Sequence, residues 1–358
     1  MNHYVCKDRE VILLQPTPKV GIAGIGTYIP DRYMTAKELS EATNIPEDVI
    51  ALKFGVKRKP IPGIGDTTSR MGIEAAKKAL QNANTDPMDV DLLIWNGAQH
   101  KDYPCWLAGL KVAEAIGAKR AWSFDMEAMC GSMMAGMDIA KSIMLARDDV
   151  NTVLLVSGYR NVDLINLKNP ATSFMLDIGA SGAAVVLKKN HDRNVVLSSA
   201  FKGDGSFSED CVVPVGGSMK WPMESGDVAR YSFDVTGDAA DFKKRLGEKT
   251  MPNFYAVIRE SLQKSGYSQN DIDYLAILHF KKSAHFAVLE ELGLGEDQST
   301  YLDEYGHLGQ NDQILSIELG LASGKIKDGD LIVMVGAGLG FVWAATTVKW
   351  GRDQEEKK

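Results

Sequence analysis

The stretch CGSMMAGMDIAKSIMLARDDVNTVLLVSG, residues 130–158, places an amphipathic helix directly before a short apolar strand. Apolar residues recur at three- and four-residue spacing over 130–149, which predicts a helix, whereas the run over 151–158 is typical of a strand. The second half of the chain repeats this order, with a predicted helix over 309–324 and a predicted strand over 330–338. A helix–strand unit that occurs twice indicates the duplication of an α/β unit.

The segments around these two units also repeat in the same order. A strand, a helix and a strand are predicted in each half, over 19–30, 67–84 and 90–98 and again over 195–201, 250–266 and 272–280. A further strand is predicted over 181–189. Connected βαβ units of this kind favour a mixed sheet that is covered by helices.

The longest uncharged run is LIVMVGAGLGFVWAATTV, residues 331–348. Its eighteen residues meet the length of a membrane span. Three glycines interrupt it, however, and Val and Thr are frequent on both sides of them. The run therefore predicts two short buried strands around a glycine turn, that is, a core β-hairpin and no membrane span.

Composition restricts the classes of function. The 358 residues are 45% hydrophobic and carry a formal net charge of −7, which is enough chain for one large core or two fused domains. The acidic balance and the lack of a basic arm exclude nucleic acid as a partner. The first residues are charged and do not read as a secretory signal, and four cysteines are scattered as Cys6, Cys105, Cys130 and Cys211. We therefore expect free thiols in a reducing cytoplasm.

Cys130 is the cysteine whose context suggests chemistry. It lies between a predicted strand and a predicted helix, where the unpaired N–H groups and the helix dipole favour thiolate over thiol. Small residues follow it, so a substrate or another backbone can come close. The alternative is a buried, unreactive cysteine, which is the commoner fate of a free thiol.

Several motifs, taken in order, resemble the β-ketoacyl-ACP synthase III family of the thiolase superfamily. They are FDMEAMC ending at Cys130, ILHFKK with His279, YGHLGQND with His307 and Asp312, and VGAGLGFVWAA with Leu339. VGIAGIGTYIP and LDIGASGAAVVL support the resemblance, which extends over roughly residues 18–350. It implies a thiolase-like, duplicated five-layer α-β-α-β-α sandwich. An N-terminal half over 18–190 would carry the nucleophile, and a C-terminal half over 191–350 the histidines.

The resemblance also implies a mechanism. Cys130 would attack an acyl thioester and hold the acyl group, and the backbone N–H groups of Cys130 and Leu339 would form the oxyanion hole. The substrates would be thioesters of coenzyme A or of an acyl carrier protein, with no separate cofactor and no metal. A homodimer is expected, formed through the region near residues 90–125.

His307 stands where the family usually has asparagine, and this departure leaves two interpretations open. In the first, His279 and His307 together donate hydrogen bonds to the thioester oxygen of a malonyl-type extender, as in Cys-His-His condensing enzymes. In the second, Asp312 orients His307, which acts as a base on a hydroxyl, amine or thiol. The G-H-x-x-x-x-D spacing resembles related acyltransferases that form C–O bonds. Asp312 could also serve only the dipole of the helix that it begins.

Four further residues are predicted to bind the substrate. Lys53 and Arg58 are candidates for phosphate contacts, although the aromatic residue that stacks on adenine in the family is replaced by Val49. Met129 and Met133 could line an acyl pocket, and the alternative for this methionine cluster is packing in the core.

The sequence therefore predicts an acyltransferase with a Cys130 thioester intermediate. Condensation with a malonyl-type thioester is the leading expectation. Transfer to a hydroxyl, amine or thiol is the alternative within the same class. A non-catalytic subunit of an acyltransferase complex is the alternative outside it.

Overall fold

The computed structural model describes residues 18–97 and 99–352, so Cys6 lies outside the described residues. The strands are β1 Val20–Tyr28, β2 Arg32–Thr35, β3 Arg58–Ile61, β4 Leu92–Asn96, β5 Trp122–Met126, β6 Thr152–Tyr159, β7 Ser181–Lys189, β8 Arg193–Gly203, β9 Cys211–Val212, β10 Asp234–Val235, β11 Tyr274–Ile277, β12 Leu331–Gly338 and β13 Val342–Arg352. The α-helices are α1 Ala36–Thr43, α2 Glu47–Val49, α3 Thr68–Asn82, α4 Ala108–Ile116, α5 Ser132–Ala146, α6 Ala239–Lys264, α7 Lys282–Leu292 and α8 Asp312–Ala322. Among these helices, none is long and apolar enough to span a bilayer.

The central sheet shows the duplication directly. Its nine strands run in the order β11-β12-β13-β8-β1-β7-β6-β4-β5. In the first half, β1 pairs antiparallel with β7, β7 antiparallel with β6, and β6 parallel with β4. In the second half, β8, β13, β12 and β11 follow the same sequence of pairings. The half-sheets meet where Gly21 of β1 pairs with Val195 of β8, and residues 190–192 connect β7 to β8.

Three hydrophobic clusters separate five layers. One cluster joins α3 and α4 to the first half-sheet, and another joins α6 and α7 to the second. The middle cluster contains side chains of α5 and α8 together with residues of both half-sheets. The two helices of the repeated helix–strand units are therefore packed between the half-sheets. This confirms the predicted thiolase-like five-layer architecture.

The predicted hairpin at 331–348 is confirmed. β12 pairs antiparallel with β13 along the whole length of β12, from Leu331 opposite Lys349 to Gly338 opposite Val342. The start of the helix predicted at 250 is wrong, because α6 begins at Ala239. Gly247 and Pro252 disfavour a helix by about 1 and 3 kcal/mol. Capping by the Asp238 side chain and burial of Phe242 offset that cost.

Candidate active site

Cys130 lies at the strand-to-helix junction that the sequence predicts. β5 ends at Met126, a 3-10 turn covers Met129–Gly131, and α5 begins at Ser132. The Ala128 N–H donates to the Ser132 hydroxyl at 2.8 Å, which fixes the turn. A Cβ on Gly338 would lie 2.6 Å from the Cys130 nitrogen, so only glycine lets the end of β12 approach so closely. The thiol is left partly exposed.

His307 joins this thiol to a carboxylate. Its Nε2 lies 3.2 Å from the Cys130 sulfur, and its Nδ1 lies 2.7 Å from Asp312 Oδ2. Asp312 is the first residue of α8 and is fully buried. It also accepts hydrogen bonds from the Leu308 N–H at 2.6 Å and the His279 N–H at 2.7 Å. The arrangement has the connectivity of a nucleophile, a base and a carboxylate that orients the base.

The electrostatics of His307 favour its charged form. Burial lowers its pKa, but the negative charges of Asp312 and Cys130 outweigh burial, so the pKa of His307 is raised well above its ordinary value. His307 therefore presents a positively charged ring to the Cys130 sulfur.

His279 is oriented differently. Its Nδ1 lies 2.8 Å from Asp177 Oδ2, and its Nε2 lies 3.1 Å from the Gly55 carbonyl oxygen. Both partners are acceptors, so both ring nitrogens are engaged by groups of the protein. Neither ring nitrogen is left for a thioester oxygen. The contribution of His279 to the Cys130 side is its backbone N–H on Asp312.

Asp177 and Lys59 form the buried surroundings of His279. The Lys59 ammonium is buried and donates to the Leu176 carbonyl at 2.8 Å. Burial lowers the pKa of Lys59 to about 8, although the charge of Asp177 acts in the opposite direction. Asp177 also holds the other histidine, because its backbone carbonyl accepts the His307 N–H at 2.9 Å.

The remaining predicted residues divide into two groups. Leu339 and Met129 line the same cavity as Cys130. Lys53 is exposed and is not part of the cavity wall, and Arg58 pairs with Glu304 at 2.7 Å. Met133 was a candidate for the acyl pocket, but its side chain is fully buried in the middle cluster. Its position on α5 between the half-sheets makes it a packing residue.

Tyr159 was missed by the sequence reasoning. It ends β6, is almost fully buried, and lines the cavity together with Cys130. Burial, and then the charges of Cys130 and Asp312, raise the pKa of Tyr159 well above its usual value, so it stays a donor. Asp177 was also missed, although it lies inside the motif LDIGASGAAVVL.

A cavity of about 550 Å³ opens onto Cys130 and His307. Most of its wall comes from the second half of the chain, and nine of the lining residues are Phe, Tyr or Trp. A cavity of this size and character takes a small-molecule substrate. Over residues 18–97 and 99–352, no three His, Cys, Asp or Glu side chains come together to hold a metal ion.

Sequence comparison finds that the family models and the known proteins that match this chain belong to the same group of enzymes. The model of the family described as 3-oxoacyl-[acyl-carrier-protein (ACP)] synthase III matches residues 124–205, and the model of its C-terminal part matches residues 262–350. The chain is 27% identical over 344 residues to beta-ketoacyl-[acyl-carrier-protein] synthase III 1 of Bacillus cereus, covering 93% of this chain and 99% of that protein.

Solved structures share the fold. The crystal structure of 3-oxoacyl-[acyl-carrier-protein] synthase III from Aquifex aeolicus matches with a TM-score of 0.79 at 22% identity, covering 93% of this chain and 100% of that one. The priming β-ketosynthase from the R1128 polyketide biosynthetic pathway matches with a TM-score of 0.81 at 20% identity, covering 95% and 99%.

Proposed function

Because the chain belongs to the 3-oxoacyl-[acyl-carrier-protein] synthase III family of the thiolase superfamily, we propose that it is an acyltransferase whose Cys130 passes an acyl group to a hydroxyl, amine or thiol. One observation carries this choice of acceptor. His307 lies between the Cys130 sulfur and Asp312, whereas both ring nitrogens of His279 are held by other groups.

The first step loads the acyl group. The Cys130 thiolate attacks the carbonyl carbon of the thioester, and the backbone N–H groups of Cys130 and Leu339 stabilise the oxyanion. Collapse of the tetrahedral intermediate forms the new C–S bond and breaks the old one. The departing thiol of coenzyme A or of a carrier protein takes the His307 proton.

The second step transfers the acyl group from Cys130 to the acceptor. Once Cys130 is acylated its charge is gone, so one of the two charges that raise the pKa of His307 is lost. Neutral His307 then takes a proton from the acceptor through Nε2 while the acceptor attacks the acyl carbon. Asp312 stabilises the imidazolium that forms. The C–S bond breaks, and the thiolate–imidazolium pair is restored.

Condensation with a malonyl-type thioester is the second candidate. The names of the curated relatives favour it. It needs donors toward an enolate oxygen, and His279 has no ring nitrogen to offer. The orientation of His279 therefore favours a heteroatom acceptor. The joined Cys130, His307 and Asp312 side chains speak against a non-catalytic subunit.

The donor and the assembly follow from the same family relationship. The donor is an acyl-CoA or an acyl carrier protein thioester, with no separate cofactor. The chain forms a homodimer, and β5 is the edge strand of the central sheet on the side of that predicted contact. Light scattering that gives a stable 39.1 kDa species would contradict the dimer.

The test separates loading, transfer and decarboxylation. Wild-type protein is incubated with a series of acyl-CoA thioesters, and its intact mass is measured. We expect an adduct on Cys130 that is absent from Cys130→Ala and retained in the controls Cys105→Ala and Cys211→Ala. Added alcohols, amines or thiols should discharge it. Loading of Cys130→Ala would overturn the thioester, and discharge only by malonyl-CoA with CO2 release would establish condensation.

A further inference from the structure

One face of α6 forms a wall of the cavity. Lys243, Gly247, Met251 and Phe254 follow one another at three- to four-residue spacing and all line it. Their exposure falls along the helix: Lys243 and Gly247 are exposed, Met251 is half-buried, and Phe254 is only 2% exposed. The face therefore leads from solvent into the apolar interior.

Gly247 is the unexpected member of this face. Glycine destabilises a helix interior relative to alanine, so it needs a reason to be there. The backbone gives none, because its φ lies outside the left-handed region. Close packing does not explain the glycine either. Apart from its chain neighbours and its own helical turn, no described heavy atom lies within 4 Å of a Cβ built at this position.

The wall beyond Gly247 is aromatic. The rings of Phe174 and Phe242 lie 5.7 Å apart, those of Phe242 and Phe341 6.3 Å, and those of Phe341 and Trp343 5.7 Å. All four residues line the cavity. Aromatic walls favour a ligand with a large apolar surface, above all one with a ring that can pack edge-on or offset against them.

We infer that this cavity receives a bulky apolar group, with room for an aromatic ring, and that Gly247 sets the size of group that can enter. The inference rests on the proposed function, because the group must react at Cys130. It belongs either to the acyl donor or to the acceptor. The two sources share the same chemistry and are separated by the experiment.

The experiment compares wild type, Gly247→Ala and Gly247→Phe. Loading of Cys130 is followed by intact mass with acetyl-, decanoyl- and benzoyl-CoA, and transfer is then measured to ethanolamine and to phenylethylamine. If the donor carries the bulky group, Gly247→Phe loads decanoyl and benzoyl at least ten-fold more slowly and acetyl at the wild-type rate. If the acceptor carries it, loading is unchanged and transfer to phenylethylamine falls at least ten-fold. Gly247→Ala adds a single methyl group and should slow the same bulky substrates by less than Gly247→Phe does.

Lys244→Phe is the matched control, since Lys244 is exposed on α6 and is not part of the cavity wall. It should retain wild-type rates with every substrate. Equal rates for Gly247→Phe and wild type with all bulky substrates would overturn the inference and leave the thioester mechanism intact. Failure of the wild type to load any thioester would instead remove the proposed function.

Discussion

His279 and His307 each hold a carboxylate through Nδ1, at 2.8 Å to Asp177 and 2.7 Å to Asp312. They differ in what faces Nε2, which is a backbone carbonyl for His279 and the Cys130 sulfur for His307. A carbonyl oxygen can only accept, so it fixes the first ring as a permanent donor. A sulfur can give up or receive a proton, so the His307 ring can alternate between its neutral and its protonated form. The partner of the second nitrogen therefore distinguishes a positioning histidine from a catalytic one.

Among the variants that test this difference between the two histidines, Asp312→Asn should have the largest effect, which is on the rate of acyl transfer. An amide cannot stabilise the imidazolium, so transfer should fall by about two to four orders of magnitude, the range of general base catalysis, while acyl loading survives. Mass spectrometry of samples quenched at successive times would measure acyl loading and product formation separately. Malonyl decarboxylation that persists strongly in wild type and variant alike would contradict the triad.

The same variant has a consequence for titration. Asp312 raises the pKa of His307, so removing its charge must lower that pKa. In wild type the imidazolium persists as the pH rises through neutrality, whereas in Asp312→Asn it should lose its proton at a lower pH. Nitrogen-15 NMR of the His307 imidazole would measure this difference in pKa. Identical titrations of wild type and variant would show that Asp312 does not raise the pKa of His307.

The sequence predicts the His307 side of the comparison well and the His279 side poorly. His307 and Asp312 are five residues apart across a turn into a helix, so their contact is local. The partners of His279 are Asp177 and Gly55, which lie 102 and 224 residues away along the chain. The periodicity of apolar residues along the chain does not predict contacts between residues so far apart in sequence. The duplicated α/β unit was predictable because helices and strands repeat in order, and the five layers were predicted from the family resemblance. The direction of a ring depends on which distant segments pack around it.

His279→Phe should affect folding more than chemistry. It removes the ring donor that the buried Asp177 carboxylate accepts, and a buried acceptor that loses its partner costs about 1–3 kcal/mol in the free energy of unfolding. Urea unfolding would measure this, and turnover per folded molecule should stay within about ten-fold of wild type. The double variant His279→Phe with Asp177→Leu should regain part of the stability. A loss of turnover of a thousand-fold at normal stability would mean that His279 acts on the substrate.

His285 provides a third histidine, and within residues 18–97 and 99–352 no carboxylate pairs with it. Burial first, and then the positive charge of His279, lower its pKa to about 4. Between pH 6.5 and pH 4 the unfolded chain binds a proton that the folded chain excludes, so stability is full above pH 6.5 and falls as the pH drops. The loss is about 3 kcal/mol by pH 4. In His285→Phe the decline over this window should be shallower by that amount, measured as the difference between urea curves; parallel curves would contradict it.

Tyr159→Phe tests the Cys130 side with the smallest expected effect. Tyr159 lines the cavity together with Cys130, and the Tyr159 ring packs edge-on against His307 with centroids 6.2 Å apart. Phenylalanine keeps that packing and removes only the donor. If the hydroxyl donates to the reacting sulfur, a hydrogen bond to a charged group is worth about 1.5–3 kcal/mol, part of which His307 retains, so acyl loading should slow by about ten-fold at pH 7. Alkylation of Cys130 by iodoacetamide should slow with it, because both reactions draw on the same thiolate. His279→Phe should leave alkylation unchanged, since its ring does not reach the sulfur. If Tyr159→Phe leaves both rates unchanged, His307 alone holds the thiolate, and the asymmetry between the two histidines is sharper still.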